Sequence, residues 1–257
     1  HVDSSAASDV YKRQPIVRFE RQGGGKEAIE NAAKLLSKAK FPVILSGAGV
    51  VLGGAIDECK KLAEKLDAPV CNGYQHNDSF PGSHPLAVGP LGYNGSKAAM
   101  ELISKADVVL ALGTRLNPFS TLPGYGIDYW PKKATIIQVD MNPDRIGLTK
   151  KVSVGICGDA KQVAQQILDK LSSDAGNTGR EERKNLIHKT KSAWLQTLSG
   201  LDHEEDDPGT VWNKEARERD KDRMSPRQAW RAIQDALPQD AIISVSYTHL
   251  RAHETAQ

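Results

Sequence analysis

The chain has 257 residues, 39% hydrophobic and 26% charged, with a formal net charge of +2. That balance lacks the basic excess that drives non-specific nucleic-acid binding, and no apolar run approaches the roughly 20 residues that span a bilayer. Its three cysteines, Cys59, Cys71 and Cys157, have no metal-ligand spacing and suit a reducing, cytoplasmic setting, each as a small core side chain.

Residues 1–14 show neither helical nor strand periodicity and abut folded sequence abruptly, as do residues 246–257. Both are read as non-native or disordered tails, which makes the chain an internal fragment. Residues 15–25 form an interdomain linker. From Lys26, helix and strand alternate. Ile29, Ala33 and Leu36 recur at helical spacing. Phe41-Pro42 then breaks into a strand at 43–45, followed by the glycine loop Ser46-Gly47-Ala48-Gly49. Ala55, Ile56, Cys59, Leu62, Ala63 and Leu66 mark a second amphipathic helix, and 69–71 a short strand. Residues 72–95 read as one long loop containing Gly, Pro and His.

A helix with Ala98, Ala99, Leu102 and Ile103 leads into a strand at 107–112 that ends in Gly113-Thr114-Arg115. The strand at 135–139 ends in Asp140-Met141-Asn142-Pro143. A strand at 152–156 and a helix lined by Ala160, Val163, Ala164, Ile167 and Leu171 close the unit. Short continuous apolar runs mark parallel strands covered on both faces. Helices alternating with them imply an α/β fold: a doubly wound, parallel, five- or six-stranded sheet with right-handed crossovers, placed at 26–172.

After Ser172 the texture changes. Residues 173–223 read as a charged helical linker, in which Leu186, Ile187, Trp194, Leu195 and Leu198 suggest a helix that packs on something. Its charge-dense part, 202–223, reads as a solvated stretch. Ser225-Pro226-Arg227-Gln228 forms a capping box. Ala229, Ile233 and Leu237 make the following apolar stripe, and 241–244 a strand. Residues 224–245 are thus the truncated start of a second α/β domain, unable to bury its apolar faces alone.

Gly47-Ala48-Gly49 after a strand either lets backbone N–H groups approach a phosphate or simply turns the chain tightly. The next glycines, Gly53-Gly54, come at the wrong spacing for a dinucleotide fingerprint. Arg115 suits bidentate pairing with a phosphate or carboxylate, and Asp140 suits a ribose. The competing reading, a structural Arg–Asp pair or helix cap, is favoured. His76, Asp78 and His84 invite a metal hypothesis, but loop contacts suit them better. Tyr125, Tyr129 and Trp130 cluster near the sheet edge and read as packing against a neighbouring domain. No Ser-His-Asp set and no carboxylate pair in an apolar setting stands out, so no catalytic or metal residue is assigned.

The run GTRLNPFSTLPGYGIDYWPKKATIIQVDMNPDRIGLTKKVSVGICGDA resembles thiamine-diphosphate enzymes of the acetolactate-synthase type. Their central domain combines a strand–GxG loop, a PxxHPLxxGxxG stretch, a GTR or GAR turn and a D-x-x-P strand end. Here these stand at 46–49, 81–92, 113–115 and 140–143. The run PFSTLPGYGIDYW and the linker beyond Asp202 resemble the phosphate-dependent acetyltransferases within that family. The resemblance implies a parent of three α/β domains: pyrimidine-binding, central and pyrophosphate-binding. It further implies thiamine diphosphate and Mg²⁺ as cofactors, and sulfoacetaldehyde and phosphate as substrates, giving acetyl phosphate and sulfite. A cytoplasmic homodimer or homotetramer, with no nucleic-acid or membrane partner, is the implied assembly.

The family's activating Glu and its GDG…N segment are not in this chain, so the fragment is expected to be inactive alone and to bind neither cofactor. Some relatives hold FAD or ADP in the central crevice. Gly47, Gly49, Arg115 and Asp140 would line it here, as a vestigial nucleotide crevice. The alternatives are another acetolactate-synthase-type thiamine enzyme and a stand-alone nucleotide-binding module.

Overall fold

A computed structural model describes residues 21–92, 95–202, 226–238 and 241. The two tails, residues 15–20 of the first linker, the charged run 203–225 with Ser225 of the capping box, and most of the strand at 241–244 lie outside the described residues.

The elements run α1 (Lys26–Lys38), β1 (Pro42–Ser46), α2 (Ala48–Leu52), α3 (Ile56–Leu66), β2 (Val70–Asn72), β3 (Ala87–Pro90), α4 (Lys97–Ile103) and β4 (Val108–Leu112). They continue with β5 (Thr135–Asp140), β6 (Val154–Cys157), α5 (Ala160–Lys170), α6 (Arg180–Asp202) and α7 (Pro226–Ala236). The strands form one six-stranded sheet in the order β3-β2-β1-β4-β5-β6, with every neighbouring pair parallel. This is the doubly wound α/β fold expected from the alternation of elements.

Strand alternation divides the core in two. Ile44, Leu110, Leu112, Ile137, Val139 and Ile156 face a cluster with the stripes of α1, α3 and α5. Val43, Leu45, Val109, Ala111 and Ile136 face a second cluster with α4 and with Ile187 of α6. The central strands β1 and β4 are buried along their whole length, and for that reason their sequences show no polar alternation.

Three local expectations are corrected. The stretch 72–95 is not one loop: β3 lies within it, paired to β2 with a register shift at Val70/Cys71. An edge strand of four residues ending in Pro90 tolerates a proline that a central strand would not, so its sequence resembles a turn. The glycine loop is shorter than expected, because Ala48 opens the five-residue α2 with Gly47 as its N-cap. Cys157 is exposed, since β6 is the opposite edge strand and its burial alternates. The β5–β6 connection carries only a single 3-10 turn, Pro143–Arg145, so no helix of that crossover covers Cys157.

Cys59 and Cys71 are buried as expected. Burial pushes the Cys59 thiol up to about 12, against a hydrogen bond with Ser46 that lowers it, and raises the Cys71 thiol as well. The unfolded thiols ionise near their ordinary 9.0, so between that pH and the folded values only the unfolded chain gains from losing the proton. Stability is therefore expected to be intact below pH 9 and to fall as the pH rises beyond it. Denaturant midpoints at rising alkaline pH check this. At pH 8 a disulfide reagent should label Cys157 alone until denaturant is added.

The segment read as a charged linker contributes α6, whose Arg183 is 1% exposed. Its guanidinium donates to the carbonyls of Leu66 (2.8 Å), Asp67 (2.9 Å), Gly176 (2.6 Å), Thr178 (2.9 Å) and Lys40. All five N–H donors of the side chain are thereby used. Arg180 and Lys184 flank it, both paired with the Asp67 carboxylate. Further along the chain, α7 touches α6 and leaves Ile233 47% exposed.

Candidate ligand crevice at the sheet switch point

In the order β3-β2-β1-β4-β5-β6 the winding reverses between β1 and β4. Open α/β sheets bind ligands outside the carboxyl ends of the strands at such a point. Gly47 and Gly49 follow β1, Arg115 follows β4, and Asp140 ends β5. The fold thus brings all four expected crevice residues to one edge, at the ends of three adjacent strands.

The geometry there is tight. Gly47 N–H donates to Leu112 O (3.1 Å) and Gly49 N–H to Gly113 O (2.8 Å). A Cβ on Gly49 would lie 2.7 Å from the Gly113 Cα, and Gly113 itself sits at φ 60°. The turns after β1 and β4 therefore meet backbone to backbone, a contact that side chains would prevent. Both glycine N–H groups are spent on protein carbonyls, and a helix as short as α2 adds little dipole.

Asp140, 9% exposed, accepts from the Asn142 N–H (2.9 Å), an Asx-turn that shapes the next loop. Arg115 is exposed. Among the described residues it makes no ion pair, so the Arg115–Asp140 pair weighed as the structural reading is not formed. The Asp140 carboxylate caps a turn instead.

Two polar groups at this edge were not singled out from the sequence. Gln138, 1% exposed within β5, donates to Thr114 O (3.1 Å) and Arg145 O (3.1 Å) and accepts from Gly147 N–H (2.8 Å). It staples the loop after β4 to the loop after β5. A lone amide inside the apolar run TIIQVD was the available signal, because a buried amide needs partners. At the ends of β1 and β2, Ser46 Oγ donates to Ser79 O (3.1 Å), Ser79 Oγ to His76 O (2.8 Å), and Asn72 Nδ2 to Ser79 Oγ (3.0 Å). This buried network pins the turn at 73–79 to the sheet.

His76 takes part through its backbone carbonyl, which accepts from Asn72 Nδ2 and Ser79 Oγ, and Asp78 is exposed. His84 accepts at Nδ1 from Leu86 N–H (3.2 Å), which leaves Nε2 to donate to Glu64 Oε1 (3.2 Å). The aromatic expectation is corrected in part. Tyr129 packs in its own domain's core at 1% exposure and donates to Ser120 O (3.1 Å), with burial pushing its phenol up. Tyr125 meets Trp194 of α6 with ring centroids 5.7 Å apart, and Trp130 lies under the Lys150 ammonium.

No three His, Cys, Asp or Glu side chains gather to hold a metal ion among the described residues. At the crevice the N–H groups of Gly47 and Gly49 are already engaged by protein carbonyls. No helix among the described residues is long and apolar enough to cross a membrane.

Residues 29–167 match the family described as thiamine pyrophosphate enzyme, central domain. The chain belongs to that family. As a thiamine pyrophosphate enzyme central domain, it is 78% identical over 229 residues to the "probable sulfoacetaldehyde acetyltransferase" of Rhizobium meliloti (strain 1021), covering 89% of this chain and 39% of that relative. It is 74% identical over 229 residues to the sulfoacetaldehyde acetyltransferase of Roseovarius nubinhibens, covering 89% of this chain and 38% of that relative. A "probable acetolactate synthase large subunit" of Methanocaldococcus jannaschii is 36% identical over 173 residues, 67% of this chain and 27% of that relative. The chain thus spans about 39% of the length of the acetyltransferase relatives it matches.

Proposed function

We propose that this chain is part of a thiamine-diphosphate-dependent acetyltransferase that converts sulfoacetaldehyde and phosphate to acetyl phosphate and sulfite. One observation carries the reading: the 78% identity to an acetyltransferase extends over 229 residues, well beyond the family match at 29–167. Against the acetolactate synthase it falls to 36% over 173 residues. Thiamine diphosphate and Mg²⁺ would be held by parts of the longer protein outside this chain, the cofactor supplying the electron sink. Residues 26–172 are then the central domain, 173–223 a linker and 224–245 the start of the pyrophosphate-binding domain. We place the parent in the cytoplasm as a homodimer or homotetramer.

The test is an assay of the full-length protein with sulfoacetaldehyde. Sulfite release that requires phosphate is the expected result. Pyruvate condensation in its place, with no phosphate requirement, assigns the chain to an acetolactate-synthase-type enzyme and ends the proposal.

We further propose that the crevice lined by Gly47, Gly49, Arg115 and Asp140 is vestigial. The engaged glycine N–H groups and the Asp140 carboxylate turned back onto Asn142 support this. Calorimetric titration of the chain with FAD, NAD and ADP should show no binding at millimolar ligand. Saturable micromolar binding of any of them would favour a nucleotide-binding module.

A further inference from the structure

Helix α6 joins the two ends of the domain. Arg183, Ile187, Thr190, Lys191 and Trp194 recur at helical spacing on one face, and the first three are buried. At one end of this face the Arg183 guanidinium is caged by carbonyls that precede β1 and β2 and by those of Gly176 and Thr178. This is the amino edge of the sheet. Two turns on, Lys191 Nζ donates to His84 O (3.3 Å) and Pro85 O (3.1 Å), just before edge strand β3. One turn further, the Trp194 ring meets Tyr125 at 64°, and Tyr125 Oη donates to Gly95 O (3.1 Å). Tyr125 belongs to the long loop that leaves β4 at the opposite, carboxyl edge. Eleven residues of helix span about 16 Å, so a rigid rod links a buried clamp to a loop at the ligand edge.

We propose that α6 is a conformational strap: the Arg183 clamp at the amino edge holds the carboxyl-edge loop 117–130 in place through the helix and its Trp194 contact. Within the loop Ser120 N–H donates to Asn117 O and Ile127 N–H to Gly124 O, and from outside it Tyr74 N–H donates to Ser120 Oγ (2.8 Å) while its ring stacks on Phe119. Tyr125 is also held at a positive φ of 51°, a conformation a non-glycine residue keeps only where its surroundings impose it. The strap supplies part of that constraint from outside the loop. The inference goes beyond the proposed reaction and does not depend on it.

Hydrogen exchange by mass spectrometry on the whole chain tests it, comparing the amides of 119–127 with those of 40–46. Trp194→Ala should speed exchange in 119–127 by up to about tenfold, the worth of an aromatic pair, and leave 40–46 unchanged. Arg183→Met should speed exchange in both segments. Lys189→Pro, at an exposed position, breaks the helix between clamp and tryptophan and should loosen 119–127 alone. If Arg183→Met does not fold, the Lys189→Pro variant decides. Wild-type exchange in 119–127 with the helix broken, or with Trp194 removed, overturns the proposal and leaves α6 a passive connection.

Discussion

Replacing Arg183 by methionine is expected to cost the folded chain about 3–5 kcal/mol, the range for removing one partner from a buried charged network. The side chain is 1% exposed, and five carbonyls lose their donor together. Each buried acceptor left without a partner carries its own desolvation penalty. Leu66 and Asp67 end α3, where carbonyls of the last turn point outward with no partner in the helix and favour a cation. Burial draws the Arg183 pKa down, and nearby Asp67 opposes this. Arg183→Lys should recover only part of the loss, since an ammonium has three donors and no planar fork. Urea unfolding of the three proteins reads the difference. A loss below about 1 kcal/mol for methionine, the net worth of one ordinary hydrogen bond, would show that the cage contributes little.

Gly113→Ala should be comparably severe, and for a separable reason. Gly113 adopts φ 60°, and a Cβ there would meet Gly49 Cα at 2.7 Å and Val50 N at 2.8 Å. A left-handed conformation costs a side chain about 1–2 kcal/mol, and forcing atoms into a packed contact adds about 1–3 kcal/mol. Gly126 provides the control. It sits at φ 71° with nothing within 4 Å of its Cβ position, so Gly126→Ala pays the conformational part alone. Equal losses at the two positions would show that the two turns separate readily and that their close contact is incidental.

Most of the architecture was legible because it is repetitive. The stripes of α1, α3 and α5 and the apolar runs of β1, β4 and β5 repeat one physical requirement over several residues, and such repetition survives in a single sequence. β3 did not have it: four residues at the sheet margin, ending in Pro90, satisfy the rules of a strand and of a turn equally. Gln138 and Arg183 were missed for another reason. Arg183 acts once, through carbonyls up to 143 residues away in sequence, and no local spacing encodes such a contact; the lone amide of Gln138 signals burial but does not name its partners. The convergence of Gly47, Gly49, Arg115 and Asp140 on one sheet edge was legible, since strand ends followed by glycine are local features. Its interior was not foreseen, because which carbonyls the Gly47 and Gly49 N–H groups meet depends on the pairing of β1 with β4. Tyr129 was assigned to an interdomain contact on proximity to Tyr125 and Trp130, yet neighbours in sequence can face opposite ways in a loop.

The carbonyl cage around Arg183 also sets how the helix responds to its solvent. Its hydrogen-bond partners are neutral dipoles in a buried setting, so dissolved ions have little purchase on them. The outer pairs of Arg180 and Lys184 with Asp67 are of the opposite kind, partly open to water and weakened by electrolyte. One helix is thereby fastened twice, by a lock indifferent to ionic strength and by a latch that yields to it. In brine the latch loosens while the lock, and with it the seating of α6, persists.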